Sequence, residues 1–447
     1  MIALFILDDD SPGEWKPGGA SRWWLHHSLA ALATSLHRHN NRLILRRGKA
    51  DEVLDAVIAE TGAEAVTWNR LYDPWAVERD RRIKAALKDR GLDVRSFRGN
   101  LGFEPWTVAT KDGGPYKVFS PFLKACLAAD PPPEPLPVPS PVGVPYSWPD
   151  GDELADWGLT PTKPDWAGGL RDSWTPGEGG ARARFEAFME NGLGDYSKGR
   201  NHPARDVTSR LSPHLHFGEI SVPQIWRVLD HAEAQGARSV GKFRSEVVWR
   251  EFSHHLLWHF PTLPEKNWRT RFDDFPWADD EAGLRAWQAG RTGYPLVDAG
   301  MRELWATGYM HNRVRMVVGS FLIKDLLIHW KRGEEWFWDR LCDADLANNS
   351  ASWQWVAGSG ADAAPYFRIF NPVKQSEDYD PAGEYIRRWV PEIAGLPDRH
   401  LHAPWKAPAE VLEAAGVTLG ETYPHPVVDH GAARRRALDA FERIKGG

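Results

Sequence analysis

The chain has 447 residues, 42% of them hydrophobic, which is enough for two or three domains with large cores. Its 55 basic and 61 acidic residues give a net charge of −6, which excludes a global positive field and leaves nucleic acid only a local basic face. The two cysteines, Cys126 and Cys342, form neither a disulfide framework nor a zinc set, as expected for a protein of the reducing cytoplasm.

No targeting segment or membrane partner is expected. The apolar run Ile2–Leu7 lacks a basic lead and meets three aspartates, so it is not interpreted as a signal peptide. The longest later apolar run, Met316–Ile323, is stopped by Lys324 and is too short to span a bilayer. The 24 tryptophans are the one anomaly of composition, and core packing explains them more simply than stacking on bases or a flavin.

The first 128 residues alternate short β-like runs with amphipathic helical runs. The predicted strands are Ile2–Leu7, Leu43–Leu45, Ala65–Trp68 and Val94–Phe97. The predicted helices are Arg22–His39, Ala50–Thr61 and Trp75–Asp89. This alternation indicates a Rossmann-like parallel sheet with crossover helices. The sequence has no G-x-G-x-x-G and no Walker loop, so a nucleotide here would not be held by those devices.

A proline-rich connection separates this region from a helical one. Nine prolines fall between positions 130 and 149, which excludes a helix or an inner strand there. After Ser212 three-to-four spacing predicts the helices Val222–Glu233, Lys242–Trp258, Glu281–Gln288, Val297–Thr307, Val314–Trp330 and Glu334–Leu341. The predicted organisation is an α/β domain over 1–128, a connection over 129–195 and a large all-α domain over 196–447.

The stretch Asp343–Asp362 opens with two aspartates one residue apart, followed by a pair of asparagines and two tryptophans one residue apart. Buried polar groups need partners, so these side chains should face a ligand that bonds back. An EF-hand loop is excluded, because it would place Ala347, Asn348 and Gln354 at its fifth, sixth and twelfth positions. A planar ligand with polar edges remains, and a flavin is the natural candidate.

Two further segments carry polar groups at predicted helix starts. Thr208, Ser209 and Ser212 precede a helix with proline at its first position, which suits phosphate, although an ordinary N-cap at Ser212 is the simpler alternative. Met310–Met316 is polar and basic before its helix turns apolar, which suggests a helix end at a site and a body in the core.

One predicted helix places unlike side chains on a single face. Glu246, Trp249 and Arg250 follow i, i+3 and i+4 spacing, which provides an acid, a flat ring and a cation, or simply a surface ion pair. His255 and His259 have metal-ligand spacing, but they lack the glutamate of H-E-x-x-H and a third ligand. No metal site is predicted.

Together these segments closely resemble the photolyase/cryptochrome family of flavoproteins. The matching pieces are TSRLSPHLHFGEIS, SEVVWREF, GRTGYPLVDAGMREL, TGYMHNRVRM and DADLANNSASWQWVAGSGADAAPYFRIFNP. The resemblance covers nearly the whole chain and is most specific from about residue 196 onward. It implies an enzyme, a light-driven DNA lyase that repairs cyclobutane pyrimidine dimers by electron transfer from excited FADH⁻.

The resemblance implies FAD as the cofactor, with reduced FADH⁻ as the active form. Asp343 would pair with Arg315 beside the flavin, while Asp345 would hydrogen-bond the ring edge. Asn349 would face flavin N5, where a neutral amide tolerates the N–H of the reduced ring. The other implied FAD contacts are Tyr196, Thr208, Ser209, Arg210, Leu211, Ser212, Phe243 and Arg250.

The implied partner is damaged DNA with a flipped-out pyrimidine dimer, since photolyases are among the enzymes that flip bases. The implied dimer pocket consists of Glu246, Asn312, Met316, Trp249 and Trp355. The implied DNA-backbone contacts are Arg200, Arg313, Arg368 and Gln375, of which the arginines would supply the local basic face. The implied electron relay that reduces the flavin under light is Trp277, Trp330 and Trp353.

Two positions indicate the lesion. Family members that act on the pyrimidine–pyrimidone photoproduct carry two histidines where this chain has Asn312 and Met316, neither of which is an acid near neutral pH. The cyclobutane dimer is therefore the expected substrate.

The chain departs from the family pattern in two places. A W-F-R-x-D-L-R-x-x-D-N unit, which usually precedes the strand matching Ile2–Leu7, does not occur, so we expect either an internal start or an α/β domain without its first strand. Gly113–Phe119 resembles the region near a folate antenna, which makes methenyltetrahydrofolate a candidate second chromophore, but an acidic residue that some members use there is missing.

Two rival functions remain open. A cryptochrome-type blue-light receptor is the first; against it, the chain ends in the basic amphipathic helix Ala433–Lys445 without a long tail. A single-strand binder with tryptophan platforms is the second, and it would be colourless. The expected protein is a cytoplasmic monomer, associated with the bacterial nucleoid when bound to DNA.

Overall fold

The computed structural model describes residues 1–139, 143–362 and 367–445. Within these ranges the strands form two parallel pairs, β1 with β2 and β3 with β4. The strands are β1 (Ala3–Leu7), β2 (Leu43–Arg47), β3 (Ala65–Asn69) and β4 (Asp93–Phe97). The predicted fold class, a parallel α/β region followed by a mostly helical one, is confirmed.

Helices separate and follow these strands, at or near the predicted bounds. They are α1 (Gly19–Arg38), α2 (Ala50–Thr61), α3 (Pro74–Asp89) and α4 (Phe119–Ala128). Leu25 and Leu29 of α1 pack in one buried cluster with Leu7 of β1 and Leu45 of β2. The crossover between the paired strands thus covers one face of their sheet.

Six α-helices come next in the described part of the chain, and the last of them, α10, carries several residues of the candidate site. They are α5 (Gly168–Ser173), α6 (Glu178–Ala187), α7 (Tyr196–Gly199), α8 (Ser212–His216), α9 (Val222–Ala234) and α10 (Val240–His259). Ser221 and Gln224 form a capping box that starts α9. Helix α10 packs against α4 and α9, and most of its residues are buried.

The rest of the described chain is helical. Its helices are α11 (Glu281–Gln288), α12 (Pro295–Thr307), α13 (Asn312–Ser320), α14 (Trp330–Arg340), α15 (Leu346–Ala357), α16 (Pro372–Tyr379), α17 (Glu384–Trp389), α18 (Asp398–Leu401), α19 (Ala409–Ala414) and α20 (His430–Arg443). In the three described ranges, no helix has the length and apolar character needed to cross a membrane.

The chain divides into two compact units, and neither is continuous in sequence. The first unit contains Met1–Glu190, Ser209–Thr262 and Cys342–Asn348. The second unit contains Asn191–Thr208, Leu263–Leu341 and Asn349–Gly447.

The predicted continuous helix Val314–Trp330 is wrong. Helix α13 ends at Ser320, and a π-helix follows over Phe321–Asp325. Leu327 then takes a φ of 58°, and α14 begins at Trp330, which is earlier than the predicted helix Glu334–Leu341. Three-to-four spacing does not show this break, because buried residues, among them the charged Lys324 and Asp325, continue up to Leu327.

The paired strands lead to a stability prediction. Two-stranded sheets are marginal in water, and the outer edges of β1–β4 carry backbone groups that the sheet itself does not pair. We expect limited proteolysis to cut first before Pro131, while the part beyond residue 200 resists. Fragments would be assigned by mass spectrometry, and equal resistance of both parts would contradict the prediction.

Candidate functional site

Asp345 is the acidic residue around which polar groups of the first unit gather. Its Oδ1 accepts hydrogen bonds from the backbone N–H and the side-chain amide of Asn348, at 2.8 and 2.9 Å. Its Oδ2 lies 3.3 Å from Nε2 of His254 and 3.9 Å from Nδ1 of His216. The side chain is only 11% exposed, so a carboxylate with several donors is held largely away from water.

The surroundings keep Asp345 ionised. Burial raises its pKa, but the charge of His254, hydrogen bonds from His216 and His254 and the charge of Arg250 hold the pKa well below its usual range. The pKa of His254 is raised, because its ion pair with Asp345 outweighs the opposing effect of burial. Burial and the charge of Asp345 raise the pKa of Asp73 nearby. The cluster therefore presents a carboxylate acceptor beside an imidazolium.

The predicted acid and cation of helix α10, Glu246 and Arg250, contact different partners. Glu246 pairs with Lys242 at 3.0 Å, one turn earlier on the helix. Arg250 donates from Nη1 to the carbonyl oxygen of Asn100 at 2.9 Å and from Nη2 to its side-chain oxygen. The surface ion pair considered for Glu246 thus forms with Lys242.

Two aromatic residues of α10 differ in exposure. Trp249 is half-buried and stacks on Phe119, with ring centroids 3.6 Å apart and planes 9° apart, so one of its ring faces is already covered. Phe243 is 4% exposed and packs against Phe188, with centroids 4.5 Å apart. Trp249 keeps a surface for stacking, whereas Phe243 lies in a packed aromatic pair.

The two histidines with metal spacing bind the backbone. Nδ1 of His255 lies 3.0 Å from the carbonyl oxygen of Pro105, and its Nε2 accepts from the N–H of Tyr116 at 3.0 Å. His259 Nε2 lies 3.1 Å from the same Pro105 oxygen. Burial lowers the pKa of His255 to about 4. Over the described residues, no group of His, Cys, Asp or Glu side chains could hold a metal ion.

The segment predicted to bind phosphate contains a strained arginine. Arg210 has a φ of 51°, a left-handed conformation that costs a non-glycine residue about 1–2 kcal/mol. Its guanidinium stands 4.4 Å from the ring centroid of Trp174. The carbonyl oxygen of the preceding Ser209 accepts a bond from Arg184 Nε at 3.0 Å. These contacts fix a cation at the start of α8.

Ser212 is not an N-cap. It is the first residue of α8, and buried Leu211 occupies the cap position without a side-chain hydrogen bond. The Ser212 side chain is exposed. In the second unit, the hydroxyl of Thr208 lies 3.5 Å from that of Tyr309, and Tyr196, 7% exposed, begins α7.

Asn349 exposes an acceptor in the second unit. Its Nδ2 donates to the carbonyl oxygen of Glu334 at 3.0 Å, and its Oδ1 has no hydrogen-bond partner among the residues that the structure describes. Ser350 donates from Oγ to Glu334 Oε1 at 2.5 Å. The amide is thereby oriented with its oxygen left to accept a hydrogen bond.

Three of the predicted DNA-binding residues form a cationic patch in the second unit. Burial lowers the pKa of the Arg313 guanidinium, and the charges of Arg368 and Arg200 lower it further. Arg313 donates to Asn201 Oδ1 at 2.6 Å, and its guanidinium lies 4.3 Å from the ring centroid of Tyr379. Such mutual repulsion between arginines is relieved by a polyanion.

The remaining predicted residues of α13 and its surroundings vary in exposure. Asn312 is exposed and Met316 is half-buried on α13, and Gln375 is half-buried on α16. Arg315 donates from Nε to the carbonyl oxygen of Met310 at 2.7 Å. Asn312 and Met316 are one helical turn apart, so they lie on the same side of α13.

The predicted relay residues run from core to surface. Trp353 and Trp330 are 4% and 0% exposed, whereas Trp277 is half-buried. Trp330 donates from Nε1 to Asn267 at 2.9 Å. The ring of His329 lies beside both outer indoles, with centroids 4.8 Å from Trp277 and 5.4 Å from Trp330. These rings suit charge movement between a buried centre and solvent.

Two predicted residues near α15 take less defined roles. Asp343 belongs to the first unit and Arg315 to the second, and their pairing stays a prediction. Trp355 is half-buried on α15. The sequence analysis did not identify His216 and His254; His216 lies in one quoted segment, TSRLSPHLHFGEIS, and His254 lies two residues after another, SEVVWREF.

Comparisons with known proteins find matches along most of the chain. The family model for the FAD binding domain of DNA photolyase matches residues 243–443, and the DNA photolyase model matches residues 1–140. A deoxyribodipyrimidine photo-lyase of Agrobacterium fabrum is 53% identical over 96% of this chain and 90% of that protein. Cryptochrome-2 of Arabidopsis thaliana is 40% identical over 100% of this chain and 75% of that protein. The crystal structure of a class III photolyase from Agrobacterium tumefaciens has a TM-score of 0.96 and 51% identity, covering 100% of this chain and 92% of that one.

The buried carboxyl of Glu334 predicts a pH effect on stability. Burial raises its pKa to about 8, from 4.5 in an exposed state. Between these values the unfolded chain releases a proton that the folded protein keeps, so the free energy of unfolding falls as pH rises, by at most about 1.4 kcal/mol per pH unit. Glu334→Gln lacks this dependence.

Urea unfolding of both proteins between about pH 5 and pH 8 measures the difference. We expect the stability of Glu334→Gln relative to the parent chain to improve with pH over this interval. Glu335→Gln, at an exposed neighbouring position, is the control and should follow the parent. A constant difference between Glu334→Gln and the parent would contradict the assignment.

Proposed function

We propose that this chain, which belongs to the photolyase/cryptochrome family, is a deoxyribodipyrimidine photo-lyase acting on cyclobutane pyrimidine dimers in DNA. The observation that carries the proposal lies on α13. Arg313 stands in the field of Arg200 and Arg368, while the same helix presents Asn312 and Met316 together. A polyanion is thus attracted to a helix that offers an amide and a thioether to a small ligand.

The residues present fit reduced FAD as the cofactor, which when bound would supply the light-excited electron donor. The partnerless oxygen of Asn349 is an acceptor, as the N–H of a reduced flavin requires. The ionised Asp345 offers a second acceptor for a ring-edge N–H. Arg210, with hydroxyls at Ser209 and Ser212, suits the diphosphate. Tyr196, Thr208, Leu211, Phe243, Arg250, Arg315 and Asp343 complete the proposed contacts.

The pyrimidine dimer would be flipped out of the stacked bases of the DNA, and residues of this chain would hold it. Unstacking costs a few kcal/mol and is least for a damaged base. Trp249 and Trp355 would stack on the dimer, while Glu246 would hydrogen-bond it and stabilise charge that develops there. Asn312 and Met316 would complete the pocket without contributing an acid. The backbone would be held by Arg200, Arg313, Arg368 and Gln375.

Further parts of the proposal rest on smaller observations. Trp277, Trp330 and Trp353 would carry electrons inward when oxidised flavin is reduced by light, with half-buried Trp277 as the outermost residue and the buried Trp330 and Trp353 further inward. A folate antenna would lie near Gly113–Phe119, where Gly114 donates its N–H to Thr110 Oγ1 at 3.1 Å and forms a tight turn. The protein would act as a monomer on nucleoid DNA in the cytoplasm.

A blue-light receptor without repair activity is the second candidate, favoured by the 40% identity to a plant cryptochrome over the whole chain. Purification in darkness, an absorption spectrum and illumination with lesion-containing oligonucleotides separate the two. We expect flavin absorbance and light-dependent loss of cyclobutane dimers. Flavin binding without repair would favour the receptor, and repair of pyrimidine–pyrimidone lesions alone would overturn the lesion assignment.

Removing the carboxylate of Asp345 should weaken flavin binding. Asp345→Ala removes an ionised acceptor and leaves His254 without its ion pair, so we expect largely flavin-free protein. A charged hydrogen bond of about 1.5–3 kcal/mol corresponds to roughly ten- to hundredfold weaker binding. The ratio of flavin to protein absorbance measures occupancy, and circular dichroism confirms folding.

Asp345→Asn keeps the shape of the side chain and should also lose flavin. Asp378→Ala, which removes a surface ion pair with Lys374, should retain it. Full flavin occupancy in folded Asp345→Ala would show that this carboxylate does not hold the ring.

A further inference from the structure

A groove of the second unit runs between α20 and the segment around Pro276. It has a volume of about 400 Å³. Its apolar floor is formed by Pro276, Leu327 and Ala440, and its charged wall by Arg435, Arg436 and Arg443 of α20. Sites of this size, apolar with a few charged groups, are typical for small molecules.

The wall of the groove is net positive. Arg436 donates to the carbonyl oxygen of Asp325 at 2.5 Å. In the described part of the chain, Arg435 and Arg443 have no ion-pair or hydrogen-bond partner. Asp439 is the only acidic side chain that lines the described groove, so three guanidinium groups face one carboxylate. Guanidinium groups bind phosphate and carboxylate groups in bidentate fashion, so the wall selects an anion.

The floor of the groove contains a strained residue. Leu327 has a φ of 58°, which a branched apolar side chain adopts only when its surroundings impose it. Its carbonyl oxygen accepts the N–H of Ala278 at 2.8 Å, which joins the floor to the residue after Trp277. Strained backbone concentrates at binding sites, so Leu327 is a second sign, independent of the arginines, that this groove holds a ligand.

Trp277 borders the groove. It follows Pro276, which lines the floor, and it precedes Ala278, which is bonded to Leu327. The indole is half-buried and packs on Phe275, with centroids 4.5 Å apart. Its indole N–H is buried and has no hydrogen-bond partner among the described residues. The outermost indole of the proposed relay therefore packs against the same buried cluster that contributes Ala440 to the groove.

We propose that this groove binds a small anionic one-electron reductant that re-reduces Trp277 after the relay has passed its electron inward. The proposal rests on the relay assigned above. Loss of one electron leaves Trp277 oxidised; the bound reductant gives one electron to the indole, is itself oxidised by one electron and releases any acidic proton to solvent. Trp277 returns to its closed-shell state, and the electron cannot flow back.

The ligand class follows from the lining. A volume of about 400 Å³ admits an organic anion of about nucleotide size, and the apolar floor suits its uncharged part. An enolate such as ascorbate fits inside this volume, whereas a phosphorylated dihydronicotinamide such as NADPH, which is a dinucleotide, would place only one of its two halves in the groove. Their shared property is negative charge on a reducing molecule, whereas dithiothreitol is a neutral reductant for comparison.

The test follows light-driven reduction of oxidised flavin in the holoprotein at subsaturating ascorbate, NADPH or dithiothreitol. The double variant Arg435→Gln/Arg443→Gln should reduce its flavin about tenfold more slowly with the preferred anion, corresponding to about 1.4 kcal/mol of binding, and at the parent rate with dithiothreitol. Arg434→Gln removes an exposed arginine of the same helix that does not line the groove, and should change neither rate.

Isothermal titration of the dark protein supplies a readout independent of light. The parent and Arg434→Gln should bind ascorbate or NADPH, and the double variant should bind at least tenfold more weakly. Absence of binding to the parent would overturn the proposal that the groove binds a reductant. Equal slowing of photoreduction of the double variant with dithiothreitol, or equal slowing in Arg434→Gln, would overturn it as well.

The relay and the repair reaction are tested separately. Trp277→Phe should block photoreduction with every reductant, and normal photoreduction in this variant would overturn the relay and the groove together. Chemically pre-reduced protein should repair dimers equally well in the parent chain, Trp277→Phe and the double arginine variant. Lack of repair in all three, with photoreduction as expected, would contradict the proposed function and leave the groove supported.

Discussion

The ion pair between Asp345 and His254 is the constraint on which the candidate site depends. A lone carboxylate with so little exposure would be strongly destabilising, whereas a paired and hydrogen-bonded one is tolerated. His254 lies 3.0 Å through Nδ1 from the carbonyl oxygen of Arg250, so its two ring nitrogens address opposite partners. Asn348 binds the same carboxylate from the first turn of α15. The pair therefore anchors the start of the helix that also carries Asn349 and Trp353.

A second constraint is the interrupted helix that follows Ser320. The buried Lys324 donates from Nζ to the carbonyl oxygen of Arg368, and the N–H of Phe370 donates to Ser320 Oγ at 3.1 Å. The Arg368 guanidinium lies 4.5 Å from the ring centroid of Phe370, and its side chain is exposed. A buried lysine is costly unless it is hydrogen-bonded. The π-helix contains Lys324, whose bond to the backbone of Arg368 fixes that residue while the Arg368 side chain stays exposed.

The tryptophans divide by burial, and the division decides what each can do. Trp330 is fully enclosed and bonded through its indole N–H to Asn267, so its position is rigid. Trp249 keeps one ring face free of Phe119 and stays half-buried, as a stacking surface must. Trp277 packs against a buried cluster and directly follows Pro276, which lines a charged groove. Some tryptophans, such as Trp330, therefore serve core packing, whereas half-buried ones, such as Trp249 and Trp277, keep part of the ring accessible.

The sequence by itself determined the class of fold and the residue types of the site. Alternating runs of period two and 3.6 are local, so β1–β4 and helices such as α2 and α11 were predictable to within a few residues. The expected lesion rests on the family resemblance, because Asn312 and Met316 stand where members that act on the pyrimidine–pyrimidone photoproduct carry histidines. Tertiary structure decided which groups meet. Periodicity places Glu246 and Arg250 on one helical face, but distance to other segments gives them Lys242 and Asn100 as partners.

The imidazoles of His216 and His254 approach Asp345 from distant parts of the chain, which no local pattern encodes. The break at Leu327 is likewise invisible in the sequence, because it depends on nonlocal partners of Lys324 and Ala278. The spacing of residues along a helix or strand predicts which side chains share a face. Which groups those side chains then contact depends on the segments that the fold packs against that face.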